Sequence, residues 1–231
     1  MKRLGTFAAS LWLALAGAAS ADGPVVVELF TSQGCSSCPP ADNLLGQIAE
    51  RDDIIALALH VDYWDYIGWK DEFADPAHTT RQRAYSRVAG KRTIYTPQMV
   101  IGGEDHIVGT KAMRLADLLN AHRARPNPAD VSVRRDGDRI RISATANSGI
   151  PSGAVVHVVT YTSEQTVSIR RGENAGRTLP YHNVVDQWVT VGNWDGRGTY
   201  RATVQVPRGV EVAVLVQAEG HGRMLGAAKL R

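Results

Sequence analysis

Cys35-Ser36-Ser37-Cys38 contains both cysteines of the chain. An i, i+3 pair in the first turn of a helix projects to one face, so the two sulfurs can meet in a disulfide. A helix N-terminus at this point offers unpaired N–H groups and a partial positive charge. Both favour a thiolate on Cys35 and make it the better nucleophile. Cys38, one turn inside, is placed to attack a mixed disulfide and release the product. Pro39 and Pro40 restrict the backbone just after the pair. Two plainer readings stand beside this one. A structural disulfide would restrict the unfolded chain little, because the loop it closes is so short. A metal site would need further ligands, and the chain has neither a second cysteine pair nor a close histidine pair. No metal ligand set is therefore expected.

Glu28 is a second candidate. It sits in Val25-Val26-Val27-Glu28-Leu29-Phe30, and a carboxylate buried in so apolar a strand must be paired or neutral. At a sheet end it would instead face solvent. His60, Asp62, Tyr63, Trp64 and Trp69 follow the next apolar run. If the first two strands are parallel, these residues share the sheet edge of the cysteine turn and form a substrate platform, with His60 or Asp62 tuning the thiolate. Otherwise the aromatics cap a small core and His60 is an ordinary strand residue. Arg81, Arg83 and Arg87 read as a solvated helix face.

The elements that must position these residues differ between the two halves of the chain. Strands are expected at Val25–Phe30 and Ile54–Val61. A helix is expected from Pro39 to Glu50, because Ala41, Leu44, Leu45, Ile48 and Ala49 fall at helical spacing. Asp75-Pro76 opens a second helix that stops at Gly90. Gln98–Ile101 and His106–Val108 flank Gly102-Gly103 as a hairpin, and a last helix covers Lys111 to Arg123. Pro126-Asn127-Pro128 reads as a linker. Beyond it alternation replaces helical periodicity, with strand-like runs at Val131–Val133, Ile140–Ala144, Ala154–Tyr161, Thr166–Arg170, Val184–Val191, Thr199–Val206 and Val210–Ala218. The expected organisation is a leader (1–21), an α/β domain (22–125) and an all-β sandwich-like domain (126–231). A polar loop carrying Arg170, Arg171, Glu173, Asn174, Arg177, His182 and Asn183 is expected to dock near the redox face.

Met1-Lys2-Arg3, an uncharged run from Leu4 to Ala19 and the small residues Ala19-Ser20-Ala21 form the pattern of a cleaved secretory signal. The expected location is periplasmic or secreted, with no membrane association after cleavage. The formal charge is +3, and loss of Lys2 and Arg3 leaves 24 basic against 23 acidic residues. So small an excess excludes nucleic acid as an expected partner. No glycine-rich phosphate loop or dinucleotide fingerprint is present, so no cofactor is expected.

From about Val25 to His122 the sequence resembles the thioredoxin superfamily, in its Cys-x-x-Cys turn and its order of elements. Tyr95-Thr96-Pro97-Gln98-Met99-Val100-Ile101-Gly102-Gly103 resembles the stretch in which a cis-proline precedes an apolar strand. The resemblance implies that Pro97 is cis and faces the Cys35 sulfur, that Thr96 flanks a substrate edge, and that Glu28 relays protons for Cys38. It implies an α/β thioredoxin-like domain followed by the all-β sandwich-like domain. Gly34 before the first cysteine and Ser36-Ser37 between the pair depart from well-known members and leave redox direction open. His60-Val61-Asp62-Tyr63-Trp64-Asp65, Thr80-Arg81-Gln82-Arg83-Ala84-Tyr85 and Arg171-Gly172-Glu173-Asn174-Ala175-Gly176-Arg177 are similar to those of a secreted thioredoxin-like family whose own function is not settled. The expected activity is thiol–disulfide exchange with a protein or small-molecule thiol or disulfide. The alternatives are a copper chaperone using Cys35, Cys38 and His60, and a binding protein with an inert disulfide.

Overall fold

The computed structural model describes residues 23–150 and 153–230. The expected leader lies outside the described residues.

β1 (Val25–Thr31) and β2 (Ile54–His60) are parallel, with Val25 beside Ile54 and Thr31 beside His60. Both are buried along their whole length, which suits their nearly continuous apolar sequences. α1 (Pro39–Ala49) makes the crossover between them. Its Ala41, Leu45, Ile48 and Ala49 pack with Val25, Val27 and Leu29 on one face of the sheet. A 3₁₀ turn (Asp62–Ile67) follows β2 and leads to α2 (Pro76–Val88). Asp75 caps α2 by accepting from the Ala77 N–H, and Pro76 takes the first position. β3 (Gln98–Ile101) runs antiparallel to β1, and β4 (Asp105–Val108) antiparallel to β3. α3 (Ala112–Arg123) then packs Leu115, Leu118 and Leu119 beside α1.

The remaining strands are β5 (Ala129–Asp136), β6 (Arg139–Ala146), β7 (Ala154–Ser168), β8 (Thr178–Trp194), β9 (Thr199–Gln205), β10 (Glu211–Ala218) and β11 (Met224–Leu230). β5, β6 and β9 form a three-stranded sheet. The others extend the sheet begun by β1, in the order β11-β10-β7-β8-β2-β1-β3-β4. The join is one parallel pair, Ala58 of β2 beside Val184 of β8.

This continuous eight-stranded mixed sheet corrects the expected fold class. The protein is mostly β, and it is not a thioredoxin-like α/β domain followed by a separate sandwich. The sequence division at residues 125 and 126 falls between α3 and β5. Strand periodicity is a local signal and says nothing about which distant edge a strand joins. The free edge of β2 is taken by β8, a strand 17 residues long.

The sheet curls over itself. Val26, Phe30, Ile55, Leu57, Leu59 and Val100 from the β1 side share one core with Val159, Tyr161, Val185, Ala213 and Leu215 from the β10 side. Where the curl closes, the Met224 N–H donates to the Gly102 carbonyl at 2.7 Å. Gly103 has a φ of +74°, and a Cβ there would lie 2.7 Å from the Gly222 carbonyl oxygen, so a bare glycine is needed on both counts.

Candidate functional site

Cys35 and Cys38 form a disulfide, with their Cα atoms 5.4 Å apart. Cys38 is the N-cap of α1, and the Cys35 carbonyl accepts from the Cys38 N–H at 3.1 Å. The helix N-terminus is poorer in donors than its position suggests. Pro39 and Pro40 carry no N–H, and the Ala41 and Asp42 N–H groups both donate to the Cys38 carbonyl. Cys35 Sγ lies 3.4 Å from Ser37 Oγ. Ser36 and Ser37 are exposed, while both cysteines are 0% exposed.

The loop between β7 and β8 covers the pair. Asn174, itself buried, donates from Nδ2 to the carbonyls of Gln33 at 2.9 Å and Cys35 at 3.0 Å. Its Oδ1 accepts from Arg177 Nη1 at 2.8 Å, which holds the carboxamide in register. Glu173 Oε2 accepts from Ser36 Oγ at 2.6 Å and from the Ser36 N–H at 3.2 Å. Those two bonds pull the exposed Glu173 carboxyl below its ordinary range. Gly172 sits against Trp69 and Ile67 at a φ of +76°. The loop's approach to the cysteine turn was legible as polar density. His182 of the same group instead lies over Gly46 of α1.

A bonded line connects the edge of this site to Pro97. Trp64 packs its Cβ against the position a Gly34 side chain would take, and its Nε1 donates to Thr96 Oγ1 at 2.7 Å. The Thr96–Pro97 bond is cis. Pro97 is buried and, by the position of its Cβ, shares space with Leu29, Ala41 and Gly109. Trp64 and Thr96 are therefore brought together beside the cysteine turn. Asp62 is directed away, since its Oδ1 accepts from Thr79 Oγ1 of α2 at 2.5 Å.

His60 is a core residue, 0% exposed, wedged edge-on between Phe73 and Tyr181. Its Nδ1 lies 2.7 Å from Asp71 Oδ2, which also accepts from the Gln33 N–H at 2.8 Å. Burial pushes the Asp71 carboxyl up, but the His60 charge and these hydrogen bonds outweigh it and hold the group below its usual range. Asp71 thus ties the end of β2 to the loop carrying Cys35.

Glu28 faces the other core. Its carboxylate is paired in a fork with Arg81, at 2.6 Å to Nε and 3.0 Å to Nη2, and it accepts from Tyr85 Oη at 2.6 Å. Gln217 closes the set, accepting from Arg81 and donating to Tyr85. Neither cysteine is among the partners of Glu28. Arg81 is correspondingly not a solvated residue: it is buried and lies 3.9 Å over the Trp188 ring. Arg83 and Arg87 do face solvent.

Asp42 was not found from the sequence. It is buried on α1, one turn after Cys38, and Thr31 Oγ1 donates to its Oδ1 at 2.7 Å. Burial pushes its carboxyl up to about 7, although the His60 charge and the Thr31 hydroxyl pull the other way. The available signal was its spacing, four residues after Cys38 and between Ala41 and Leu45 on the buried face. Among the described residues no group of three His, Cys, Asp or Glu side chains is arranged to hold a metal ion. No helix among them is long and apolar enough to cross a membrane.

Comparison with known proteins agrees with this fold. A crystal structure of protein AGR_C_4864 from Agrobacterium tumefaciens is 36% identical and superposes with a TM-score of 0.76, covering 90% of this chain and 94% of its own. A DUF3823 family protein from Bacteroides ovatus aligns at 16% identity over 43% of this chain and 52% of its own, with a TM-score of 0.25, and bears on neither fold nor function. No curated protein matches. The profile described as "Protein of unknown function (DUF1223)" matches residues 26–217. On that match, which takes in the cysteine turn, Pro97 and the covering loop, the chain belongs to the DUF1223 family.

Proposed function

We propose that the protein is an exported thiol–disulfide oxidoreductase working through Cys35 and Cys38. The observation that carries this reading is the pairing of the chain's two cysteines in one disulfide at the start of α1. That combination resembles the redox turn of the thioredoxin superfamily, and the signal-like leader suits an oxidising compartment such as the periplasm.

In the reductive half, a partner thiolate attacks Cys35 Sγ, the Cys35–Cys38 bond breaks, and its electron pair leaves on Cys38 Sγ. A second partner thiol then displaces Cys35. The partner becomes a disulfide, and the pair here gains two electrons and two protons. Oxidation of a partner is the same sequence in reverse. Pro39, Pro40 and Glu173 all disfavour a Cys35 thiolate, by removing donors or adding negative charge. A poorly stabilised thiolate makes the pair a weak oxidant, so we assign it the reducing or isomerising end of the range.

One observation favours a second reading. Both cysteines are 0% exposed beneath the covering loop, which suits an inert structural disulfide in a binding protein. Expression of Cys38→Ser in cells, followed by non-reducing electrophoresis, separates the two. Mixed disulfides through Cys35 support exchange. Absence of any covalent partner, together with a reduction potential below about −300 mV, rejects it.

A further inference from the structure

Among the described residues three buried side-chain polar atoms have no hydrogen-bond partner: Gln33 Nε2, Asp42 Oδ2 and His60 Nε2. Buried polar atoms are almost always satisfied, so each exception calls for an explanation. All three residues belong to the cysteine turn or to the elements that flank it. Gln33 is two residues before Cys35, Asp42 is four after Cys38, and His60 lies beside Thr31 in the β1–β2 ladder. The Asp42 N–H donates to the Cys38 carbonyl at 3.1 Å, and an i, i+4 pair on a helix puts the two side chains on one face. Glu28 cannot serve this pair, because its oxygens are held by Arg81 and Tyr85.

We propose that Asp42 is the acid that gives a proton to Cys38 when the disulfide opens and takes it back when the disulfide closes. This rests on the exchange reading above. When a partner thiolate attacks Cys35, the new S–S bond forms and the electron pair of the old one leaves on Cys38 Sγ. Asp42 passes its carboxyl proton to that sulfur and becomes a carboxylate, which recovers a proton from solvent before the next cycle. In the closing direction the Asp42 carboxylate removes the Cys38 proton as Cys38 attacks the mixed disulfide. An acid held up near neutrality by burial can do both at working pH.

The surroundings of Asp42 set its charge state. β1 presents Thr31, whose hydroxyl favours the carboxylate, and β2 presents His60, whose charge does the same. Asp71, after the 3₁₀ turn, opposes them by like charge. From β8 come Tyr181, coupled to both acids and facing Arg177, and His182, which packs over Gly46.

The test is the rate of disulfide opening by dithiothreitol in the full chain, corrected for the reductant's thiolate fraction, from pH 5 to 9. The wild type should show a fall of about a hundredfold through a midpoint near 7, the range general acid catalysis supplies. Asp42→Asn should remove the step and stay at the low plateau. Thr31→Val should keep the step and move its midpoint to higher pH, and it decides the matter alone if Asp42→Asn does not fold. A wild-type profile in Asp42→Asn, or an unmoved midpoint in Thr31→Val, overturns the proposal. A retained pH step with no partners trapped by Cys38→Ser rejects the oxidoreductase role but keeps the proton role. Trapped partners with no step do the reverse. A disulfide that dithiothreitol opens at no pH overturns both.

Discussion

Asn174 reaches Cys35 across 139 residues of sequence, donating to its carbonyl at 3.0 Å while the same amide nitrogen serves Gln33. Replacing Asn174 by Ala removes the hydrogen bond it gives the buried Gln33 carbonyl and leaves the Cys35 carbonyl only the Cys38 N–H, at a cost of about 1–3 kcal/mol. That cost falls on the covered state, so the loop opens more readily. Opening eased by about 1.4 kcal/mol speeds reduction about tenfold. The expected outcome is faster reduction of Asn174→Ala by dithiothreitol, with a lower urea midpoint. Equal rates in mutant and wild type would show that the loop does not control access.

Glu173 puts a carboxylate on Ser36, between the two cysteines. Glu173→Gln keeps the shape and removes the charge. A thiolate at Cys35 then meets less repulsion, so its pKa falls and the pair becomes more oxidising. Because Glu173 is exposed, the shift should stay within about one pH unit and shrink with added salt. Thiolate absorbance of the reduced protein, followed through a pH titration, checks both parts.

The Glu28–Arg81 pair makes the opposite prediction. Glu28→Gln strands a buried guanidinium, and losing one partner of such a pair costs about 3–5 kcal/mol. Denaturation should register that loss in full. The pH profile of disulfide reduction should not move, since neither cysteine touches this cluster. A changed profile in a folded Glu28→Gln protein would restore a proton-relay role to this acid.

Asp42 also ties folding stability to pH. Its carboxyl is held up near 7 in the folded protein against an ordinary value of 3.8. Between those values the folded state binds more protons than the unfolded state, so stability falls as pH rises through this window. At about 1.4 kcal/mol per unit the loss approaches about 4 kcal/mol by pH 8. Asp42→Asn should flatten this decline. Urea unfolding at pH 5 and pH 8, with and without the substitution, measures the difference.

Much of the local structure was legible in the sequence. Gln98–Ile101 is found as expected, and α1 and α2 start at Pro39 and Pro76, where proline fits a first turn. The cysteine turn and the polar loop near Glu173 and Asn174 were equally visible. The assembly was not. Val184 carries no mark that it will lie beside Ala58, and the expected strands at Ala154–Tyr161 and Thr166–Arg170 are largely one strand, β7. β11 was missed because Met224–Leu230 contains a glycine and small residues without clear alternation. Arg81 looked like a surface residue because a helix's charged positions read as solvent-facing until a partner such as Glu28 is known.

The order in which the chain is made gives the covering loop a temporal meaning. Cys35 and Cys38 emerge early, while Asn174 and the strand that brings it to β2 arrive more than a hundred residues later. Such distant pairings form slowly, because a long loop must close before any contact rewards it. Until the covering loop docks, the cysteine turn lacks the two hydrogen bonds that Asn174 supplies in the finished fold. Enclosure of the cysteine pair therefore waits on docking of the second half of the chain.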